Sequence, residues 1–316
     1  MRLLTALVFA ISAIQSSSAQ EQPDFSSESE LVVLHVAVRD RKGGYVGGLE
    51  QEAFRIQENR QPQVISFFNS QDAPVTLGLL IDSSGSMAPN RDMVIAASLA
   101  FTRSMNTNDE FFVLGFNEDI HTPLPVTAPF THHEPTLRVA LVQAIKARGQ
   151  TAIYDAVRAG LGYVSKGGFE RQILVVLSDG GDNASAVTRA QVLAAAQASN
   201  AVIYTIALVD PMDSEADPGF LAELAQMTGG VAFRPRSATE VEEMLQRVAR
   251  DIRNMYTIGY VPSPPPSSGP RKGANARNEP LRRVNVDVRL PNGQKLAVRT
   301  RRAYLAGAED TQTHAR

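Results

Sequence analysis

Leu79-Leu80-Ile81-Asp82-Ser83-Ser84-Gly85-Ser86-Met87 is the stretch on which the fold turns. An apolar run over residues 75–81 ends abruptly in an acid, and hydroxyls follow two and four residues later. A run that is apolar on both faces reads as a strand of a parallel sheet covered by helices. Ligands of such sheets gather beyond the carboxyl ends of the strands. Asp82, Ser84 and Ser86 stand there, in a glycine-containing loop tight enough for their side chains to converge. They offer only oxygen, one carboxylate and two neutral hydroxyls, which suits a hard cation such as Mg²⁺, with Mn²⁺ or Ca²⁺ as alternatives.

Outward from that stretch the chain alternates strand with helix. Strand patterns at 75–81, 111–116, 173–177, 202–209 and 231–233 are separated by helical spacing at 93–105, 137–147, 152–164, 189–198, 220–227 and 239–255. Ser237 or Thr239 is positioned to cap the last helix, and Gly229-Gly230 stops the one before. The pattern predicts an α/β domain over 74–255, doubly wound, with a mostly parallel sheet flanked by helices. The flanks are β in character, with strands at 31–38, 54–58 and 64–68 before the domain and at 256–261 after it. Residues 284–290 and 294–300 flank Pro291-Asn292-Gly293, a hairpin signal. An isolated hairpin is marginal in water. The segments 20–73 and 256–305 are therefore expected to join in one added β unit, with 306–316 as a tail.

Two later segments extend the set of oxygen donors. Arg148-Gly149-Gln150-Thr151 puts a hydroxyl just before a helix, and Leu177-Ser178-Asp179-Gly180 puts a second acid at a buried strand end. Asp82, Ser84 and Ser86, then Thr151, then Asp179, each at a strand end or helix start, resemble the metal-ion-dependent adhesion site of von Willebrand factor A domains. The resemblance covers roughly residues 74–255. The flanks are similar to those of secreted bacterial proteins with such domains, through the strands around Val36-Ala37-Val38-Arg39-Asp40, Phe54-Arg55-Ile56-Gln57-Glu58-Asn59 and Tyr256-Thr257-Ile258-Gly259-Tyr260 and the loop Ser178-Asp179-Gly180-Gly181-Asp182-Asn183. It implies metal contact from Ser84, Ser86 and, in a ligand-ready state, Thr151, with Asp82 and Asp179 acting directly or through water. It also implies a partner protein offering a Glu or Asp carboxylate, the metal serving as a bridge and not as a catalyst. The other class of function is a structural or assembly factor of the cell envelope, in which the metal only stabilises the fold.

Composition narrows the rest. The 316 residues are 43% hydrophobic and 20% charged with a net charge of −2, an ordinary globular balance. No cysteine is present, which excludes thiolate metal sites, disulfides and a cysteine nucleophile. Met1-Arg2, the apolar stretch 3–14 and the small residues 16–19 read as a signal peptide cut after Ala19, the protein being secreted or periplasmic. The stretch is shorter than the roughly 20 residues a membrane helix takes, and no membrane span is expected elsewhere. A hydrolase would use Ser84 or Ser86 with His121, His132 or His133 as base, but no Gly-x-Ser-x-Gly elbow occurs; the chain is not expected to be an enzyme. Asp210, Asp213, Glu215 and Asp217 lack the spacing of an EF-hand and read as a solvated loop at the rim of the site. Residues 271–302 carry ten Lys/Arg against two Asp/Glu. The alternation Arg283, Asn285, Asp287, Arg289 fits the wet face of a strand, and export argues against a nucleic-acid partner.

Overall fold

The computed structural model describes residues 31–209, 215–262, 281–290, 293 and 295–305. The leader 1–19, the polar start 20–30, Asp210 and Asp213, most of the Pro/Ser/Gly-rich loop and the tail 306–316 lie outside the described residues. The chain opens with β1 (Val32–Arg39), β2 (Phe54–Glu58), β3 (Gln61–Gln63) and β4 (Ile65–Asn69). It continues through β5 (Val75–Asp82), α1 (Arg91–Arg103), β6 (Glu110–Phe116), β7 (Ile120–His121), α2 (Glu134–Ala144) and α3 (Ile153–Val164). Then come β8 (Arg171–Ser178), α4 (Arg189–Ala198), β9 (Val202–Ala207), α5 (Pro218–Thr228), β10 (Ala232–Phe233) and α6 (Ala238–Arg253). It closes with β11 (Met255–Tyr260), β12 (Leu281–Val288), β13 (Ala297–Arg299) and β14 (Ala303–Leu305).

All eight residues of β5 are buried, because this strand runs down the middle of a six-stranded sheet ordered β10-β9-β8-β5-β6-β7. β5 pairs in parallel with both β6 and β8, so Leu79 lies opposite Val113 on one side and Val175 on the other. Side chains of β5 alternate between two cores. Leu77, Leu79 and Ile81 pack in the core of α1, α2 and α6, and Leu80 in that of α3, α4 and α5. This is the doubly wound arrangement, with one addition that the sequence pattern hides. The two-residue β7 pairs antiparallel with β6 and makes the sheet mixed. At Gly78 the strand leaves no room for a side chain: a Cβ would stand 2.2 Å from the Phe112 ring.

The flanking segments form a sandwich of two four-stranded sheets, β13-β1-β11-β4 and β14-β12-β2-β3. Val32, Leu34, Val36, Phe54, Ile56, Ile258, Val284 and Val286 fill the space between them. The expected hairpin does not form. β12 pairs with β2 and β14, whereas β13 pairs with β1, so the chain through Gly293 crosses from one sheet to the other. Val284, Val286 and Val288 face inward and Arg283, Asn285 and Asp287 outward, which fits β12 to β2. The open side of β1 takes β13 instead.

Buried polar contacts fasten the sandwich to the amino-terminal edge of the large sheet. Arg171, first residue of β8, donates to the carbonyls of Ile252 and Met255 (both 3.1 Å) and to Thr257 Oγ1 (3.2 Å). Asp251 of α6 accepts from Arg39 Nη2 (3.0 Å), Tyr45 OH (2.8 Å), Tyr204 OH (2.5 Å) and Arg299. Burial would push the Asp251 carboxyl up, but Arg299 and these donors hold it below the usual carboxylate range. Inside the sandwich Glu58 accepts from Tyr260 OH (2.9 Å), Tyr304 OH (2.7 Å) and Arg282 Nη1 (2.8 Å).

His35 lies in this joint, 3.3 Å from Thr257 Oγ1 through Nδ1, with Nε2 buried and unpartnered. Burial, with Arg171 and Arg301 nearby, pushes its pKa down to about 3. The unfolded chain takes up this proton near pH 6.5 and the folded one does not. Stability contributed by neutral His35 is therefore complete above pH 6.5 and is lost as the pH falls toward 3, at up to about 1.4 kcal/mol per pH unit. His35→Gln should flatten the decline of melting temperature between pH 6.5 and 4; an unchanged slope would assign the acid sensitivity elsewhere.

Candidate metal centre

The site is built where the loops after β5 and β8 diverge, the switch point of the large sheet. Asp82 is the last residue of β5, and its side chain is fully buried. Its Oδ1 accepts from the backbone N–H of Ser84 (2.9 Å) and its Oδ2 from Ser178 Oγ (2.6 Å). Burial pushes the Asp82 carboxyl up to about 6, against the pull of the Ser178 and Ser84 hydrogen bonds and with a further push from Asp179.

From Ser84 a chain of side chains runs across the divergence. Ser84 Oγ and Ser86 Oγ share a hydrogen bond of 3.1 Å, and Ser86 Oγ donates to Asp179 Oδ2 (2.7 Å). Asp179 Oδ1 accepts from the N–H of Gly181 (2.9 Å). Four of the five expected residues thus form one connected cluster through these bonds. Thr151 is outside this hydrogen-bonded chain, but its loop is stitched to the others. Gly85 N–H donates to the Gly149 carbonyl (3.2 Å), and Thr151 N–H donates to Asn183 Oδ1 (2.8 Å) in the loop after β8.

Several supporting residues were not singled out in the sequence. Ser83 Oγ accepts from the N–H groups of Lys146 (2.5 Å) and Ala147 (3.2 Å), and the Ser83 carbonyl accepts from Arg148 N–H (2.9 Å). That capture draws the chain off α2 at Ala144, three residues before the expected end, and holds Ala147 at φ +53°. Asn117, at the end of β6, donates to the Arg148 carbonyl (3.1 Å) and accepts from Ala152 N–H (2.8 Å). Glu118 accepts from Gln150 N–H (2.9 Å). Gly149 has φ +86° and a Cβ there would meet Glu118 Oε2 at 1.9 Å, so only glycine fits. A polar residue after a strand is too common a pattern to have marked Asn117 or Glu118 beforehand.

The rival assignments find their own partners. Asp217 caps α5 by accepting from Phe220 N–H (2.9 Å) and pairs with Arg189, while Glu215 accepts from Asn183 Nδ2 (2.9 Å). His133 bonds Thr136 (3.0 Å) and His121 lies 3.4 Å from Lys146 Nζ; neither meets Ser84 or Ser86. In the basic stretch, Arg282 pairs with Glu58, Arg299 with Asp251, and Arg301 donates to the Ser199 carbonyl.

The family profile described as von Willebrand factor type A domain matches residues 77–247, more than half the chain. The chain belongs to that family. No curated protein matches it. Among solved structures, a von Willebrand factor type A protein from Catenulispora acidiphila is similar at 14% identity and TM-score 0.49, over 92% of this chain and 78% of that one. BatB from Bacteroides thetaiotaomicron is similar at 18% identity and TM-score 0.43, over 56% of this chain and 98% of that one. Proximal thread matrix protein 1 from the mussel byssus, with a zinc-occupied adhesion motif, is similar at 18% identity and TM-score 0.45. That match covers 57% of this chain and 48% of the mussel chain. Family membership rests on the profile match alone.

Among the described residues no three His, Cys, Asp or Glu side chains group as a metal site. The cluster at the type A domain's switch point is of another kind, two carboxylates among hydroxyls, and it fits a hard cation that keeps several waters. A buried carboxyl raised to about 6 is one that a nearby cation would restore to its charged form. Asp82→Asn keeps an acceptor for Ser84 N–H and should lower Mg²⁺ affinity at least tenfold with the fold intact. Ser86→Ala, which removes one neutral oxygen, should weaken binding less. Titration calorimetry at pH 7.5 measures both, and unchanged Mg²⁺ affinity in Asp82→Asn would remove Asp82 from the site.

Proposed function

We propose that this type A domain is a metal-dependent protein-binding module whose site captures an acidic side chain of a partner. The observation that carries the reading is the bonded chain Ser84–Ser86–Asp179 at the switch point, beside buried Asp82. When bound there, Mg²⁺, or Mn²⁺ or Ca²⁺ in its place, would supply an electrophilic position for a carboxylate. The protein's own part is to keep that position electron-poor. Both carboxylates already spend charge on donors, Asp82 on Ser84 N–H and Ser178 and Asp179 on Gly181 N–H and Ser86. Ser84, Ser86 and Thr151 add oxygen without charge. A ligand set so short of anionic charge leaves room for one further carboxylate, and no step of bond breaking is involved.

The reading includes export. The leader 1–19 would be removed, and the mature chain would act at the cell envelope or outside it. N-terminal sequencing of the protein from its source should begin at Gln20; an intact Met1 would overturn export by that route.

Thr151 separates metal binding from partner binding. Its hydroxyl stands in a different loop from Ser84 and Ser86, and none of the described residues bonds it. It is free to take up a metal contact when an acidic ligand arrives. Thr151→Ala should cut partner capture in saturating Mg²⁺ at least tenfold, while Mg²⁺ affinity of the free protein changes less than threefold. Thr151 is buried, so a melting curve of the variant accompanies both measurements to confirm that the fold is kept. Capture from the native envelope with and without EDTA is the accompanying control. Capture that is indifferent to EDTA, with metal shifting only the melting temperature, would favour an assembly factor with a stabilising metal.

A further inference from the structure

The outward face of the sheet β14-β12-β2-β3 presents Arg283, Asn285 and Asp287 of β12 beside Arg55 and Gln57 of β2, all exposed. Pairing sets Asn285 opposite Gln57 and Asp287 opposite Arg55. β2 turns into β3 through Asn59 and Arg60, at φ +49° and +70°. A two-residue hairpin loop of this kind usually has glycine in its second place; here it holds an arginine. The turn is clasped to β12, because Asn59 N–H donates to the Arg283 carbonyl (2.8 Å) and Arg283 N–H to Asn59 Oδ1 (3.0 Å). Arg60 and Arg283, distant in sequence, thus share an open basin of about 320 Å³ with Gln57, Asn59 and Asn285, and no acid lines it. Among the described residues neither guanidinium has a partner. A second basin, about 400 Å³, shares Gln57 and is lined by Arg55 and Arg289, with Glu52 its one acid. Arg289 pairs with Asp287 (3.1 Å), but Arg55 Nη1 meets the carbonyls of Glu52 (2.6 Å) and Phe54 (2.8 Å) and no carboxylate.

We infer that the two basins form one track for a linear acidic polysaccharide, the arginines taking its anionic groups and Gln57, Asn59 and Asn285 its hydroxyls. Charge carries the argument. The whole chain has a net charge of −2, so attraction for a polyanion has to come from a local patch such as this one. Guanidinium groups bind carboxylate or sulfate through paired N–H donors. Side-chain amides both donate and accept, which suits hydroxyls in either role. Spacing favours a polymer over a single ion. Arg55 and the turn at Asn59 are four residues apart on β2, about 13 Å in an extended strand, so one chain with repeated charges reaches both basins. No aromatic side chain lines the Arg60 basin to stack a nucleic-acid base, and its one apolar side chain, Val284, is buried and has nothing to insert into lipid. The sandwich joins the large sheet at the edge opposite the candidate metal centre, and the track works without a metal. It therefore stands or falls apart from the metal-bridge reading.

The test measures binding of the full chain to immobilised polymers at low salt, in EDTA so that the candidate metal centre takes no part. Polygalacturonate offers carboxylates, dextran sulfate offers sulfates, and neutral dextran offers hydroxyls alone. The chain should bind one or both acidic polymers and not dextran, and the better ligand names the anion. Arg60→Gly and Arg283→Gln should each weaken that binding about tenfold, the loss expected of one charge-assisted hydrogen bond. Arg60→Gly gives the turn its easiest residue, so its melting temperature should hold or rise while binding falls, which separates ligand contact from folding. Arg158→Gln, the same change of charge at an exposed position of α3, should bind as the unaltered chain does. No binding to either acidic polymer, equal binding to dextran, or binding undiminished in both Arg60→Gly and Arg283→Gln overturns the track. A loss in Arg158→Gln as large as theirs also overturns it, in favour of unspecific attraction. Tighter binding of a single-stranded oligonucleotide or of phosphatidylglycerol vesicles, dependent on the same arginines, overturns the polysaccharide in favour of that ligand.

Discussion

A carboxylate shut away from water at the end of the central strand is the constraint on which the rest of this molecule depends. Removing a charged group from water costs several kcal/mol unless donors replace the water. For Asp82 the replacements come from both sides of the switch point, the Ser84 N–H in its own loop and the Ser178 hydroxyl on the neighbouring strand. One side chain thereby holds together two loops whose chains run to opposite faces of the sheet. The next residue recruits the third loop. Ser83 donates its N–H to the Phe116 carbonyl and accepts through its hydroxyl and carbonyl from Lys146, Ala147 and Arg148. The loop leading to Thr151 is thus fixed by the residue between the two acidic and hydroxylic positions that attract notice first.

Arg171 and Asp251 are buried at the opposite edge of the sheet and do different work. β8 begins at Arg171, in the joint with the sandwich, and ends at Ser178, against Asp82. At about 3.3 Å per residue the two ends are roughly 23 Å apart. Asp251, Arg171 and Arg299 join β1, β9, β11, β13 and α6 by charge-assisted hydrogen bonds, and in that joint the carboxylate is stabilised and His35 is kept neutral. At the carboxyl edge the balance runs the other way, since Asp82 is raised. A carboxylate paired with arginines marks the joint, and a carboxyl short of positive charge marks the site.

How much of this was legible follows from which interactions are local. Strand β5 and the alternation around it announce themselves because burial on both faces demands an unbroken apolar run. The capping of α6 by Ser237 is equally local. The cluster of Asp82, Ser84, Ser86 and Asp179 was readable because each stands at the end of a legible strand. What escaped depends on contacts distant in sequence. Nothing near Asn292-Gly293 says that its two flanking strands serve different sheets; that is decided by the open sides of β1 and β2. Burial of Asp82 is not legible either, because a residue that ends a strand looks exposed until the neighbouring strand supplies Ser178. Arg283, Asn285, Asp287 and Arg289 are exposed as their alternation predicts, but three other arginines of the basic stretch meet Glu58, Asp251 and the Ser199 carbonyl, contacts distant in sequence.

The proposed metal bridge asks of these serines something different from what a nucleophile would have to do. A nucleophilic serine needs a base within hydrogen-bond reach whose pKa allows it to take the proton. The group in reach of Ser86 is Asp179, at 2.7 Å, and that carboxylate also accepts from Gly181 N–H. Ser84 bonds only Ser86 among the described side chains, so its proton has no route beyond that acid. As metal ligands the same atoms face no such demand. A hydroxyl coordinates through a lone pair and keeps its proton, which can stay hydrogen-bonded to the carboxylate beside it. The bond from Ser86 to Asp179 occupies the hydroxyl proton and leaves the lone pairs of Ser86 directed away from that carboxylate, which is the orientation the proposed metal bridge requires.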